Sequence, residues 1–203
     1  MSAKQAGLKT IDLYFAKQDA FTAIRNRAGD SPSDTMKYIA KFSKARIQSA
    51  KSEEEVVAAL FVCELDIEKQ FAKEQVLAYV ASLGSDSDSM NKQITAINKT
   101  LDLAESFEEI ESVKETGKNL LSLIGRKDEI KAGFDALTKD FPELPVDLAS
   151  VVESAKEKVD SVSDKDLLST AEAEGVANIS LRIDKIVAKA KIDALAGETP
   201  SRQ

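Results

Sequence analysis

The sequence predicts an all-α fold, a bundle of about seven helices built around a long antiparallel helical hairpin. Apolar residues recur at helical spacing through nearly all of the 203 residues. No segment alternates apolar and polar residues as a half-buried strand does. Hydrophobic residues make up 43% of the chain and charged residues 31%, a composition typical of globular domains.

The first two predicted helices lie in the N-terminal quarter. Apolar spacing predicts a helix over 8–28, and the cluster "GDSPSD" at 29–34 interrupts it because Gly, Pro and Ser favour turns. Ser33 or Asp34 then caps a second helix that ends near residue 50.

The predicted hairpin follows. Ser52 and Glu55 form a capping box that begins a third helix, and Gly84 can take the left-handed conformation that ends it. A short turn at 84–89 leads to a fourth helix. The two arms of the hairpin are therefore predicted at 53–83 and 89–124.

The fourth helix carries a coiled-coil-like seam, in which apolar residues step by alternating threes and fours. The pattern restarts three residues later at Phe107, a shift that overwinds a coiled coil locally or passes the helix to a second partner. The seam packs either within the bundle or against another subunit. This candidate helix-packing seam contains Ile94, Ile97, Leu101, Phe107 and Ile110.

Gly125 is predicted to end the fourth helix, and a short helix covers about 127–140. The stretch "FPELPVD" at 141–147 is not helical, because each Pro disfavours helix in the residue before it. Asp147 then caps a helix to about residue 161.

Ser163 and Asp166 form a further capping box, and Gly175 interrupts the helix that follows. The last helix covers about 176–196, and the tail from residue 197 is predicted to fray.

These elements group into three parts of one continuous domain: a basic N-terminal helical pair at 1–51, the hairpin with a short helix at 52–140, and an acidic C-terminal segment at 141–203. One weak self-similarity relates the stretch 110–130 to the stretch 148–168. Chance matches in a chain rich in Lys, Glu and Ser explain it better than a duplication does.

Histidine is absent and Cys63 is the only cysteine. The chain therefore lacks the usual general base near neutral pH, the Ser–His and Cys–His nucleophile pairs, and the ligands of structural zinc. We expect a protein that is not an enzyme and has no cofactor, no metal site and no catalytic residue. Cys63 shares a helical row with Leu60, Ile67 and Phe71 and is predicted to pack in the core.

The sequence also indicates a cellular setting. The N-terminus is polar, the longest apolar runs are far below the roughly 18 residues of a membrane span, and a single cysteine suits a reducing compartment. We expect a cytoplasmic or intracellular protein, with a virion as one such setting, that is neither secreted nor bound to a membrane.

Charge divides the chain unevenly. Residues 1–51 contain ten Lys or Arg and four Asp or Glu, whereas the rest contains eighteen and thirty-one. On a helix over 36–51, four lysines fall within about 80° of arc. Arg46 lies among the apolar residues opposite, where it requires a carboxylate partner or must extend to solvent at the helix end. The four are candidate contacts for nucleic acid or an acidic partner: Lys37, Lys41, Lys44 and Lys51.

Three interpretations of this basic face remain open. It is the solvated side of an amphipathic helix, it docks on the acidic remainder of the chain or of another copy, or it contacts nucleic-acid phosphates. Specific base recognition is poorly supported, because the chain has no aromatic platform for bases.

The functional expectation that these observations favour is a structural or assembly protein that packs against copies of itself or other subunits. A component of a viral particle or another large complex fits this description. Two alternatives stay open: a nucleic-acid-associated accessory protein that uses the helix at 36–51, and an acidic regulator that docks on an enzyme.

Overall fold

The computed structural model describes residues 3–197, apart from the side chains of Ala3, Ala6 and Gly197, and the predicted frayed tail lies almost entirely outside this range. The described part of the chain is all-α, with seven helices and no strand, which confirms the predicted fold class. The helices are α1 (Ala3–Ala28), α2 (Asp34–Ser49), α3 (Glu53–Leu83), α4 (Asp88–Leu103), α5 (Phe107–Leu137), α6 (Val146–Ser161) and α7 (Lys165–Gly197).

After α1 the same pair of helices occurs three times. The short helices α2, α4 and α6 each have 16 residues. Each is followed, after a three-residue connection, by a long helix of 31, 31 or 33 residues. The short helices begin at Asp34, Asp88 and Val146, so successive pairs follow one another at nearly the same spacing. Repetition of one supersecondary unit at a regular spacing is the signature of a repeat protein.

In the first two helix pairs, the same types of residue cap the start of the short helix and the start of the long helix. Ser33 Oγ accepts a hydrogen bond from the Met36 amide, and Ser87 Oγ accepts one from the Met90 amide. Both methionines are fully buried. Between the short and long helices, the Ser52 and Glu55 side chains cap α3, and Ser106 and Glu109 cap α5 by the same two hydrogen bonds. The capping box predicted at Ser52 is therefore confirmed, and its carboxylate accepts from the amide of Lys51.

A lysine contact recurs at the end of each short helix, where the last carbonyl groups lack intrahelical partners. The Lys17 ammonium donates to the carbonyl of Gln48, Lys69 to that of Asp102 and Lys127 to that of Asp160, at 2.8, 2.9 and 2.8 Å. These three acceptors each follow the last fully buried residue of their helix. In the second and third cases another lysine four residues on also binds the aspartate carboxylate.

Contacts divide the chain into two compact units. The first contains residues up to Ser82 together with Asn91–Lys118, and its core joins α1, α2 and the first half of α3 around Ile24, Met36, Ile47 and Ile67. The second contains Leu83–Met90 and the residues from Asn119 onward. Its core joins the last part of α5 to α6 and α7 around Phe134, Leu148, Val159 and Ile179.

The structure is compatible with the predicted hairpin, with a shorter second arm. The arm at 53–83 is confirmed, and Gly84 has the expected left-handed conformation with φ of 66°. The contacts of Lys69 and Lys73 with Asp102 place α4 antiparallel to α3. The second arm ends at Leu103 rather than 124, because Ser106 caps a new helix there. The three-residue shift of the seam marks this break.

Four helix boundaries were predicted wrongly at the C-terminal side. Asp147 does not cap α6, which begins at Val146 and has no side-chain cap. Helix α5 passes through Gly125 and absorbs the short helix expected at 127–140, and α7 passes through Gly175. In both cases burial of the surrounding apolar residues outweighs the cost of about 1 kcal/mol for a glycine inside a helix. Asp164, not Ser163, caps α7, since its carboxylate accepts from the Asp166 amide.

The duplication suggested by the likeness of 110–130 to 148–168 is also wrong. The first stretch lies inside α5, whereas the second crosses from α6 into α7. The repeat that the structure contains relates α2 and α3 to α4 and α5, and these in turn to α6 and α7. The three-part domain division at residues 51 and 140 stays a prediction.

Candidate protein-binding groove

A groove with a volume of about 620 Å³ lies in the first compact unit. Helix α2 forms one wall, α3 forms the floor, and the end of α4 closes one side through Asp102. We call it the first groove. Its lining residues are Tyr38, Ile39, Phe42, Ser43, Ala45, Arg46, Ser49, Cys63, Asp66, Lys69, Gln70, Lys73 and Asp102.

Two aromatic side chains form the rim of this groove on α2. Tyr38 and Phe42 are one helical turn apart, and their ring centroids lie 4.5 Å from each other. Tyr38 is 63% exposed and Phe42 57% exposed. Large aromatic rings left in solvent beside a concave surface are typical of protein-binding sites, where such rings contribute most of the binding energy.

The charged side chains of the first groove are paired within it. Arg46 lies 3.7 Å from Asp66 and its side chain is about half exposed, so it has both a carboxylate partner and access to solvent, the two arrangements predicted for an arginine on the apolar side of α2. Lys73 binds Asp102 at 2.5 Å, and Lys69 donates to the carbonyl of Asp102. Four of the five charged side chains that line the groove are therefore in ion pairs, which favours apolar contact over ionic recognition.

The floor of the groove is closed by small buried groups. Cys63 is buried, as predicted, and its thiol contacts the carbonyl of Ser43 at 3.8 Å. Ser43 is itself buried. Because α2 and α3 approach each other closely here, the side chains on the rim determine how deep the groove is.

The third helix pair carries a groove of about 460 Å³ at equivalent positions, which we call the second groove. Equivalent positions are those that coincide when α2 is aligned with α6, and α3 with α7, at their first residues. Ser150, Ser154 and Lys158 then occupy the places of Tyr38, Phe42 and Arg46, and Gly175 occupies that of Cys63. The helical framework thus repeats, whereas the aromatic rim does not.

The candidate basic residues are placed in two different environments. Lys37, Lys41 and Lys44 line a separate concavity of about 280 Å³ between α1 and α2, which is distinct from both grooves. Arg25 of α1 lines the same concavity. Lys37 is paired with Asp34 at 2.8 Å, and hydrogen bonding to that ammonium lowers the pKa of the Asp34 carboxyl. Lys51 lies beyond the end of α2 and is not part of this cluster. Sequence spacing could not reveal Arg25, since α1 supplies it.

Two other arginines do dock on acidic residues, as the second interpretation of the basic segment proposed. Arg27 pairs with Glu68 at 2.8 Å and stacks 4.8 Å from the centroid of Phe107. With the Arg46–Asp66 pair, it ties α1 and α2 to acidic residues of α3. The three clustered lysines take no part in this docking.

The candidate seam is used inside the protein. Ile97, Leu101 and Ile110 are almost fully buried, while Ile94 and Phe107 are half-buried. Ile97 packs closely over Gly117, where a methyl group would not fit without movement of the isoleucine. The expectation that this seam contacts another subunit therefore loses its main support.

Within residues 3–197, every helix is either too short or too polar to cross a membrane. In the same residues, no three acidic or thiol side chains come together in a way that could hold a metal ion. No protein-family model matches the chain, and neither a curated protein nor a solved structure shows significant similarity to it.

Proposed function

We propose that this protein is a helical-repeat scaffold that binds another protein through the first groove. The exposed pair Tyr38 and Phe42, at the rim of that groove, is the observation that carries the proposal. The occupant is an apolar segment of another protein chain, because the groove's own charges are paired internally. An assembly component of a viral particle or another large complex is the kind of protein this describes, in a reducing intracellular setting that suits one buried thiol.

A photo-crosslinking amino acid tests the proposal with a matched control. Ser49 and Ser161 are the last residues of α2 and α6, and each side chain donates to the carbonyl three residues before it at 2.7 Å. The crosslinker at Ser49, which lines the first groove, should capture a protein partner in native extract. The same group at Ser161 should not, and Tyr38→Ser with Phe42→Ser should abolish capture at Ser49. Equal capture at both serines, or none at Ser49, would exclude the first groove as the binding surface.

A second function is supported by the cluster of Arg25, Lys37, Lys41 and Lys44, whose surrounding concavity has no acidic lining residue. We propose that this cluster contacts nucleic-acid phosphates, as point charges without base readout. The equivalent of Lys41 in α6 is Glu153, and that of Lys37 is Ala149, so only Lys44 of the three lysines has a basic equivalent there, Lys156.

Binding to DNA or RNA at low salt would then weaken steeply as salt rises. Charge reversal of Arg25, Lys41 and Lys44 should remove it, while Lys51→Glu should leave most of it. Absence of binding at low salt would rule this function out. The third expectation, an acidic regulator, is less favoured, because many carboxylates of α5 to α7 are in ion pairs within the chain.

A further inference from the structure

The last half of α7 repeats a helix-binding surface found on α5. On α5, one face of the final turns packs against α6, and its Ile130 and Phe134 belong to the same core as Leu148 and Val159 of α6. Lys127 and Lys131 lie on that face and bind the carbonyl and carboxylate of Asp160, in the last turn of α6. The face consists of Leu123, Lys127, Ile130, Lys131, Phe134 and Leu137.

The equivalent face of α7 follows when the two long helices are aligned at their first residues, Phe107 and Lys165. Lys185 and Lys189 then stand at the positions of Lys127 and Lys131. We call this face the α7 stripe. It consists of Leu181, Lys185, Ala188, Lys189, Ile192 and Leu195.

The two faces differ in what covers them. Phe134 is 1% exposed beneath α6, whereas Ile192, its equivalent, is 64% exposed. Leu181 and Leu195 are also exposed. Among the described residues, neither Lys185 nor Lys189 makes an ion pair, although Lys131 makes two. The other side of the same helix is covered, since Ile183 and Ile186 pack on the core of the second unit.

We infer that the α7 stripe binds a short amphipathic helix of another protein, about four turns long, with an acidic residue in its last turn. The acidic residue is inferred from charge complementarity. On α3 and on α5, a pair of lysines binds an aspartate near the end of a short helix. Within residues 3–197, the short helices α2, α4 and α6 each already make such a contact elsewhere. The inference is independent of the first groove.

The chain's own α6 supplies the probe. A labelled peptide of residues 145–162 ends with the acidic turn at Asp160 and should bind the full chain. Lys185→Glu with Lys189→Glu should weaken binding at least tenfold, as should Asp160→Lys in the peptide. Lys191→Glu is the matched control, because Lys191 lies off the α7 stripe on the same exposed helix and should change affinity little.

A tethered variant keeps the inference testable if the isolated peptide is too weakly helical to bind. In the tethered variant, a copy of residues 138–162 follows directly after Leu195. Leu195 and Leu137 hold the same position in α7 and α5, so the added copy of α6 is placed against α7 in the register that α6 has against α5. Hydrogen exchange in residues 181–195 should slow at least tenfold, and Asp160→Lys with Leu148→Asp in the added copy should cancel the effect. Unchanged exchange in the tethered chain would overturn the inference.

One result would show that the partner is a second copy of this chain. If the native protein forms a dimer by light scattering and Ile192→Asp dissociates it, a second copy of this chain covers the α7 stripe, and the inference of a separate acidic helix is wrong.

Discussion

The first and second grooves have the same helical framework and different rims. Both lie at equivalent positions between a short helix and the long helix after it. The first has Tyr38 and Phe42 in solvent, and the second has Ser150 and Ser154. Repetition of the fold therefore reproduces the concave shape, and under the proposed function a few exposed side chains decide whether that shape binds a protein.

The largest expected effect comes from making the first groove resemble the second. Tyr38→Ser with Phe42→Ser should weaken binding of the partner captured at Ser49 by about 2 to 4 kcal/mol, because aromatic anchors carry most of an interface's energy. Stability should change by less than about 1 kcal/mol, since both rings are mostly exposed. Calorimetry of the complex and urea unfolding of the free protein measure the two quantities. Unchanged affinity would show that the aromatic rim does not bind the partner.

A smaller effect is expected from the floors of the grooves, where Cys63 and Gly175 are equivalent. Gly175→Ala should destabilise the protein by about 1 to 3 kcal/mol, because the added methyl would overlap the buried ring of Phe134. Gly133→Ala on the surface of α5 meets no atom and should instead stabilise it by up to about 1 kcal/mol. Urea unfolding of both variants checks this. Equal effects would mean that Phe134 moves aside freely.

The smallest effect concerns Lys44 and Lys156, which also occupy equivalent positions. Lys156 binds Asp135 at 2.8 Å and also contacts Glu153, and hydrogen bonding to Asp135 raises the pKa of its ammonium above the ordinary value for lysine. A raised folded-state pKa stabilises the fold below the unfolded pKa, and this contribution is lost as pH rises through the folded value. It should be under about 1 kcal/mol because the carboxylates are exposed.

Lys156→Met should therefore reduce the loss of stability between pH 9 and pH 12, and Lys44→Met should not. Unfolding curves at the two pH values measure the difference. A Lys156→Met protein with the same alkaline loss as the native chain would contradict the assignment.

The sequence was sufficient for the class of fold and for several helix ends. Helical periodicity predicted α1, α2, α3 and α6 approximately, but it joined α4 to the first part of α5 and interrupted α7 at Gly175. Ser33, Ser52 and Gly84 were correctly placed at helix ends because their local chemistry determines the backbone. The break at 104–106 contains neither Pro nor Gly, and so it was missed. Ser106 and Glu109 repeat Ser52 and Glu55 there, and comparison of the two capping boxes would have revealed both the break and the repeat.

Site prediction was less complete, because sites depend on neighbours distant in sequence. The lysines of α2 were recognised on one face, but Arg25 comes from α1 and Lys51 falls outside the cluster. Tyr38 and Phe42 were not among the candidate site residues. Their exposure could not be foreseen, because it depends on how helices distant in sequence pack around α2.

Hydrogen exchange of the native complex tests the central claim most directly. Binding of the partner should slow exchange in α2, at residues 34–49, and leave α6, at residues 146–161, unchanged, although the two helices hold equivalent places in the fold. Protection of α6 with no change in α2, or equal protection of both, would contradict the assignment of binding to the aromatic groove.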